Sequence, residues 1–238
     1  MMANALKIIS VLLSYPSAEL LGAADELREA IAADRLTGPR EKAWLRALVD
    51  DLGGRDLYDA EERYVLLFDR TRTLSLHLFE HVHGESRDRG QAMVDLGAMY
   101  EAQGFDIDAK ELPDYLPLFL EYLSTQSSEE VHNLLGQTLH ILSAVRARLQ
   151  KRDSIYANAL LALEAIAGTE ADAKAVEAIL ELPEDDPTDL KALDAIWDEE
   201  AVTFGGGAGN DSCGPDRLRR QLRAAKHPAP RPEIRGEQ

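Results

Sequence analysis

The chain is poor in cysteine and in basic charge, and each shortage closes off a class of function. Cys213 is the single cysteine among 238 residues. An internal disulfide and a four-thiolate metal centre are therefore impossible, no oxidising compartment is needed, and iron–sulfur ligation by this chain alone is excluded. No apolar run approaches the roughly 20 residues that span a bilayer. The apolar stretch Ile8 to Leu13 is broken by Ser10 and stopped at Ser14-Tyr15-Pro16, too short for the core of a signal peptide with its cleavage site. A cytoplasmic location is expected. Lys and Arg number 26 against 43 Asp and Glu, a net charge of −17. That field repels nucleic acid and anionic membranes and attracts basic partners. Phosphate-cradling and nucleophile templates are missing too, with no G-x-x-x-x-G-K-[ST], no G-x-G-x-x-G and no G-x-S-x-G. Cys213 beside Gly214-Pro215 has no rigid base to activate it.

What is present is helical periodicity. Hydrophobic residues make up 45% of the chain, enough for one sizeable core, and they recur at spacings of three and four with almost no strict alternation. This predicts an all-α protein, a single compact helical bundle over residues 1–203. Leu6, Ile9, Leu12 and Leu13 open it. Leu20, Leu21, Leu27 and Ile31 mark a second helix that ends before Gly38-Pro39, and Trp44, Leu45, Leu48 and Leu52 a third that stops at Gly53-Gly54. Asp59 with Glu62 resembles a capping box for a helix bearing Tyr64, Leu67 and Phe68. Leu74, Leu78 and Val82 continue a helical stripe to Gly84. Ser86 is expected to cap a helix with Met93, Leu96, Met99 and Tyr100 that Gly104 ends. Pro113 suits the first turn of the helix with Leu116, Leu120 and Leu123. Ser128 is expected to cap the longest pattern, Val131 to Leu149, and Ser154 a further one to Ala167. Ala171 to Leu182 and Leu190 to Trp197 read as short helices. Residues 204–238 form a Gly/Pro-rich tail with too little apolar surface to fold alone. Its residues 214–238 hold seven Lys/Arg against three acids, so the remainder carries −21; the tail is either a solvated end or a screen for a partner site.

Chemistry, if local, falls in residues 56–126, which hold nine of the fourteen aromatic side chains. These rings either fill the core or line a groove for an apolar peptide face. Within the segment, His77-Leu78-Phe79-Glu80-His81 matches H-x-x-E-H, in which two imidazoles one helical turn apart hold zinc and the glutamate acts as base. His83, Glu85, Arg87, Asp88 and Arg89 form a dense charge cluster at a helix entry, able to lock a loop by ion pairs or to present carboxylates to a basic peptide. Arg87 and Arg89 sit where the helix dipole does not favour cations. Asp114 and Glu121, seven apart, would share a helix face about two turns apart. That is too far for acid–base work on one bond and better suited to two cations on an extended peptide, unless Asp114 and Glu111 simply serve the helix N-terminus.

The run from Leu78 to Leu96, which reads Leu-Phe-Glu-His-Val-His-Gly-Glu-Ser-Arg-Asp-Arg-Gly-Gln-Ala-Met-Val-Asp-Leu, resembles the TorD/DmsD/NarJ family of redox-enzyme maturation chaperones. So do Glu111-Leu112-Pro113-Asp114 and Leu120-Glu121-Tyr122-Leu123. Leu13-Ser14-Tyr15-Pro16, Tyr64-x-x-Leu67-Phe68-Asp69-Arg70 and Trp197-Asp198-Glu199-Glu200 extend the resemblance to about residues 6–204. Within the family it points to the assembly chaperones of respiratory membrane-bound nitrate reductase. The resemblance implies an all-helical protein that is not an enzyme and keeps no cofactor of its own. It implies binding of the N-terminal segment of the apo catalytic subunit, held in the cytoplasm while molybdenum cofactor and an iron–sulfur cluster are inserted. Proteins that deliver the molybdenum cofactor join the implied partners, and the chain is expected to be a monomer or weak dimer. By position in the two motif blocks, the functional face is expected at Glu80, His83, Glu85, Arg87, Asp88, Arg89, Asp114, Tyr115, Glu121 and Tyr122. Two other readings stand beside it: a zinc hydrolase built on His77, Glu80 and His81, and a general acidic peptide scaffold.

Overall fold

Asn4–Leu13 (α1) is apolar on nearly every side, and a helix of that kind is stable only where other elements surround it. In the computed structural model, which describes residues 4–82, 87–107 and 111–184, Leu6, Ile9, Leu12 and Leu13 are completely buried. The main partner of α1 is Leu116–Ser124 (α7), itself buried at Leu116, Phe119, Leu120, Tyr122 and Leu123. The Ser10 hydroxyl donates to the Pro117 carbonyl at 2.6 Å, so this buried polar side chain is satisfied. The first turn of α1 is closed from elsewhere: the Asp34 carboxylate accepts from the Ala5 amide at 3.0 Å and from the amides of Leu36 and Thr37.

Between these lie Ala18–Gly22 (α2), Ala24–Ala33 (α3), Pro39–Gly53 (α4) and Leu57–Tyr64 (α5). The longest helix, Ser128–Lys151 (α8), carries Val131, Leu135, Leu139, Leu142, Val145 and Leu149 as one buried stripe. It packs along Ala157–Ala167 (α9), whose alanines let the two axes approach. Gly168, at φ 65°, ends α9 in the left-handed conformation that glycine adopts without strain. Asp172 caps Ala173–Leu180 (α10), which lies on α8. Arg87–Ala102 (α6) is the exception, because only Tyr100 among its described side chains is buried. The described residues all fall within one compact unit. The expected helix Leu190–Trp197, the boundary at 203/204 and the tail lie outside the described residues.

Helix type was legible; several boundaries were not. Asp56, not Asp59, caps α5 through the Tyr58 amide. Ser127, not Ser128, caps α8 through the Glu130 amide. The first-turn proline of α7 is Pro117 rather than Pro113. Ser154 does not cap α9, which starts at Ala157 behind Tyr156. The expected second helix is two, divided at Ala23. The largest departure is in residues 65–82. The Leu74, Leu78 and Val82 spacing imitates a helix, yet the chain runs through a π-helical turn Val65–Asp69 and two 3₁₀ turns, Arg72–Leu74 and Leu78–His81.

Candidate functional site

The segment 70–82 supports little helical hydrogen bonding of its own, so its polar groups are held by the rest of the fold. His77 is extended, at φ −87° and ψ 109°, and pairs with Tyr115 in an isolated antiparallel bridge. The Leu78 amide donates to the Asp114 carbonyl at 3.0 Å, and the Leu116 amide to the Leu76 carbonyl at 2.8 Å. Inside this crossing sits the Asp114 side chain, 0% exposed. Its carboxylate accepts from the Phe79 amide at 3.0 Å and lies 3.2 Å from His77 Nδ1. Arg148, 2% exposed, donates to the Thr73 carbonyl at 2.9 Å and to the Ile179 carbonyl at 2.7 Å. Asp114 and Arg148 thus hold one loop at two places, Phe79 and Thr73.

This geometry overturns the zinc reading. The imidazoles of His77 and His81 are not one helical turn apart on a helix. His77 Nδ1 is committed to Asp114, and His81 Nε2 lies 2.8 Å from the Ser75 carbonyl. A carbonyl only accepts, so Nε2 carries the proton. Among the described residues no group of three or more His, Cys, Asp or Glu is placed to hold a metal ion.

The two histidines should titrate apart. Burial opposes protonation of His77, but the Asp114 carboxylate beside it wins and raises the pKa above 6.5. Burial lowers that of His81 below 6.5, against the partial help of the Ser75 carbonyl. The contribution of His77 to stability is therefore present below 6.5 and lost as pH rises through its folded value. The contribution of His81 is present above 6.5 and lost as pH falls through its folded value. Proton NMR titration is expected to find the His77 midpoint above 6.5 and the His81 midpoint below it. Asp114→Asn should bring the His77 midpoint down, and two coincident midpoints would refute both contacts.

The expected functional residues do not form one surface. Tyr122 is 1% exposed, packed on Tyr100 with ring centroids 4.6 Å apart, and belongs to the core. Asp114 is a buried brace and precedes α7, so it shares no helix face with Glu121. Neither can touch a partner in this conformation, because each is sealed beneath the elements it holds. Glu121 is exposed and pairs with Lys7 at 2.7 Å. Arg89 pairs with Glu80 at 3.1 Å, which favours bracing over contact for that arginine. Asp88 is exposed in the first turn of α6, where the helix dipole favours an acid. Arg87 opens α6, and nothing is described of its side chain; His83, Glu85 and the expected cap Ser86 lie outside the described residues.

Tyr115 keeps its place and gains neighbours that sequence reasoning missed. Its hydroxyl lies 2.9 Å from that of Tyr64, which also donates to the Leu13 carbonyl at 2.9 Å. The Tyr15 ring, 49% exposed, packs edge-on against Tyr64 at 5.4 Å. The His77 ring lies 5.3 Å from Tyr115. Carboxylates are near enough to act on these rings: Glu61 and Asp69 on Tyr15, and Glu111 and Asp69 on Tyr115, help to raise both phenol pKa values behind the larger effect of desolvation. Desolvation also raises the pKa of Asp69, while His77 works against it. The result is an amphipathic aromatic face, Tyr15, His77 and Tyr115, with an acidic rim. The signals that could have found it were the short blocks Leu13–Pro16 and Tyr64–Arg70, which meet here although some fifty positions separate them.

Residues 19–162 match the family model described as nitrate reductase delta subunit. The nitrate reductase molybdenum cofactor assembly chaperone NarJ of Escherichia coli K12 is 46% identical over 200 residues, 84% of this chain and 84% of that protein. The probable chaperone NarW of the same strain is 42% identical over 199 residues, 84% of this chain and 83% of its own length. A probable NarJ of Bacillus subtilis 168 is 33% identical over 153 residues, 56% of this chain and 83% of that protein.

Proposed function

The chain belongs to the nitrate reductase delta subunit family, and from that premise we propose that it is an assembly chaperone for nitrate reductase. In this reading it acts in assembly rather than catalysis. It binds the N-terminal segment of the apo catalytic subunit and holds that subunit in the cytoplasm, competent for insertion of molybdenum cofactor and an iron–sulfur cluster. Proteins that deliver the cofactor meet this complex, and the chaperone works as a monomer or weak dimer. No described helix is long and apolar enough to cross a membrane, which fits a protein that acts before its client is anchored.

The observation that carries the reading is the aromatic face of Tyr15, His77 and Tyr115 with Glu61, Asp69 and Glu111 around it. Aromatic rings give a peptide contact area at low entropic cost, and carboxylates orient a basic segment and speed its approach. Glu80, Asp88 and Glu121 add carboxylates to the proposed contacts, and His83, Glu85 and Arg87 join them by their place in the motif block. Asp114 and Tyr122 act from beneath, as its support.

Calorimetric titration with a peptide from the N-terminus of the cognate catalytic subunit tests this, against a scrambled peptide of equal charge. Selective binding with a negative heat-capacity change is expected, with Tyr115→Ala weakening it by about tenfold or more, as for a central aromatic anchor. Affinity should fall as salt rises, because exposed carboxylates lose their reach within a Debye length of about 8 Å at physiological ionic strength. Equal binding of both peptides would sink the leader-peptide reading; selective binding indifferent to salt would remove only the carboxylates.

A further inference from the structure

A second surface lies apart from the Tyr115 face and shares no residue with it. The end of α9, the turn at 168–172 and α10 enclose, with α8, a groove of about 710 Å³, within the roughly 300–1,000 Å³ of ligand-sized sites. Leu139, Val176 and Leu180 supply apolar lining, and Leu180 is 37% exposed although it is aliphatic. The lining holds four carboxylates, Glu164, Glu170, Glu177 and Glu181, against the single guanidinium of Arg146. That guanidinium is already committed, donating to Glu164 Oε1 at 2.7 Å and to Gln150 at 2.6 Å. The Ser143 hydroxyl donates to the same Glu164 oxygen at 2.6 Å. Glu170, Glu177 and Glu181 have no ion-pair partner among the described residues.

We propose that this groove is a second docking site, taking a short cationic segment of a partner protein that carries aliphatic anchors. Charge complementarity selects the occupant. Three uncompensated carboxylates beside an apolar floor repel an acidic or phosphorylated ligand, and a purely apolar one would leave them desolvated without partners. Glu177 and Glu181 stand one turn apart on the same side of α10 while Glu170 lies in the turn before it, so the charges are spread along the groove. That spread matches cations repeated along a chain rather than one compact ion. A chaperone with two such surfaces can hold two segments at once, which multiplies affinity without requiring either contact to be tight.

The test uses the full chain and a capped twelve-residue peptide of alternating arginine and leucine, followed by amide hydrogen exchange and fluorescence anisotropy. Protection is expected at α10 and at the end of α9. The double variant E177Q/E181Q should weaken the peptide about fivefold to tenfold, since one decade is about 1.4 kcal/mol. E26Q/E29Q, which removes the same charge from α3, should leave affinity unchanged. Equal loss in both variants would mean attraction to net charge alone and overturn the site, as would protection at Tyr115 in place of α10. Self-association abolished by E177Q/E181Q in the absence of peptide would make a second copy the occupant instead, and groove amides already protected until residues 191–238 are removed would assign it to the chain's own end; either result overturns the proposal. Leader-peptide titration of E177Q/E181Q keeps the two surfaces distinguishable, since binding at the Tyr115 face should not change.

Discussion

Asp114→Ala is expected to destabilise the fold by about 3–5 kcal/mol, the range for breaking a buried charged contact by removing one partner. At roughly 2–4 °C per kcal/mol for a domain of this size, the melting temperature should drop by more than about 6 °C. The cause is specific. Without the carboxylate, the Phe79 amide and the His77 imidazole lose the acceptor that the fully buried Asp114 side chain supplies. Asp114→Asn keeps an oxygen for the Phe79 amide and loses only the charge, so it should cost about half as much. Thermal denaturation measures the size of the effect, and hydrogen exchange its place, which should be Phe79 and the bridge between His77 and Tyr115. Because that bridge positions Tyr115, affinity for the leader peptide should fall together with stability. A melting temperature within about 2 °C of the parent for the alanine variant would show that Asp114 does not hold the loop.

Arg148→Ala is the second large effect, at about 3–5 kcal/mol. It removes a buried side chain and leaves the Thr73 and Ile179 carbonyls without their donor. Arg148→Met keeps most of the bulk and sheds a desolvated charge, so it should cost less, about 2–3 kcal/mol. The pattern of damage separates the two clamps. Arg148 ties the loop to α10 through Ile179, so its variants should raise exchange across Ala173–Leu180 and weaken the basic peptide at the groove. The Phe79 amide, held by Asp114, should keep its protection. If both clamps produced the same exchange pattern, the loop would be one rigid body and the division of labour between them would be wrong.

The aromatic-rich segment shows why some of this was readable and some was not. Tyr115 and Tyr122 belong to neighbouring motifs and look alike as residues, yet one is half-buried and the other is 1% exposed. What separates them is Tyr100 of α6 and Phe105 just beyond that helix, both packing on Tyr122, a contact with no local sequence sign. Asp114 reads locally as an acid near a helix start, whereas its partner amide at Phe79 is 35 positions away. Arg148 sits on the basic C-terminal turn of α8, where a cation needs no special explanation. Its burial follows only from what crosses above it.

The sequence by itself determined the all-helical class, because apolar residues at spacings of three and four have one way to share a face. It determined α1, α4, α8 and α9 closely, the acidic field, the exclusion of an internal disulfide and the family resemblance. Only the tertiary structure decided the course of residues 65–82, whose spacing imitates a helix while their backbone groups are held by Asp114, Arg148 and the bridge to Tyr115. It also decided which motif residues brace and which face outward. Periodicity records which residues a segment can hide; the partners that hide them come from distant parts of the chain, and those pairings exist only once the helices have packed.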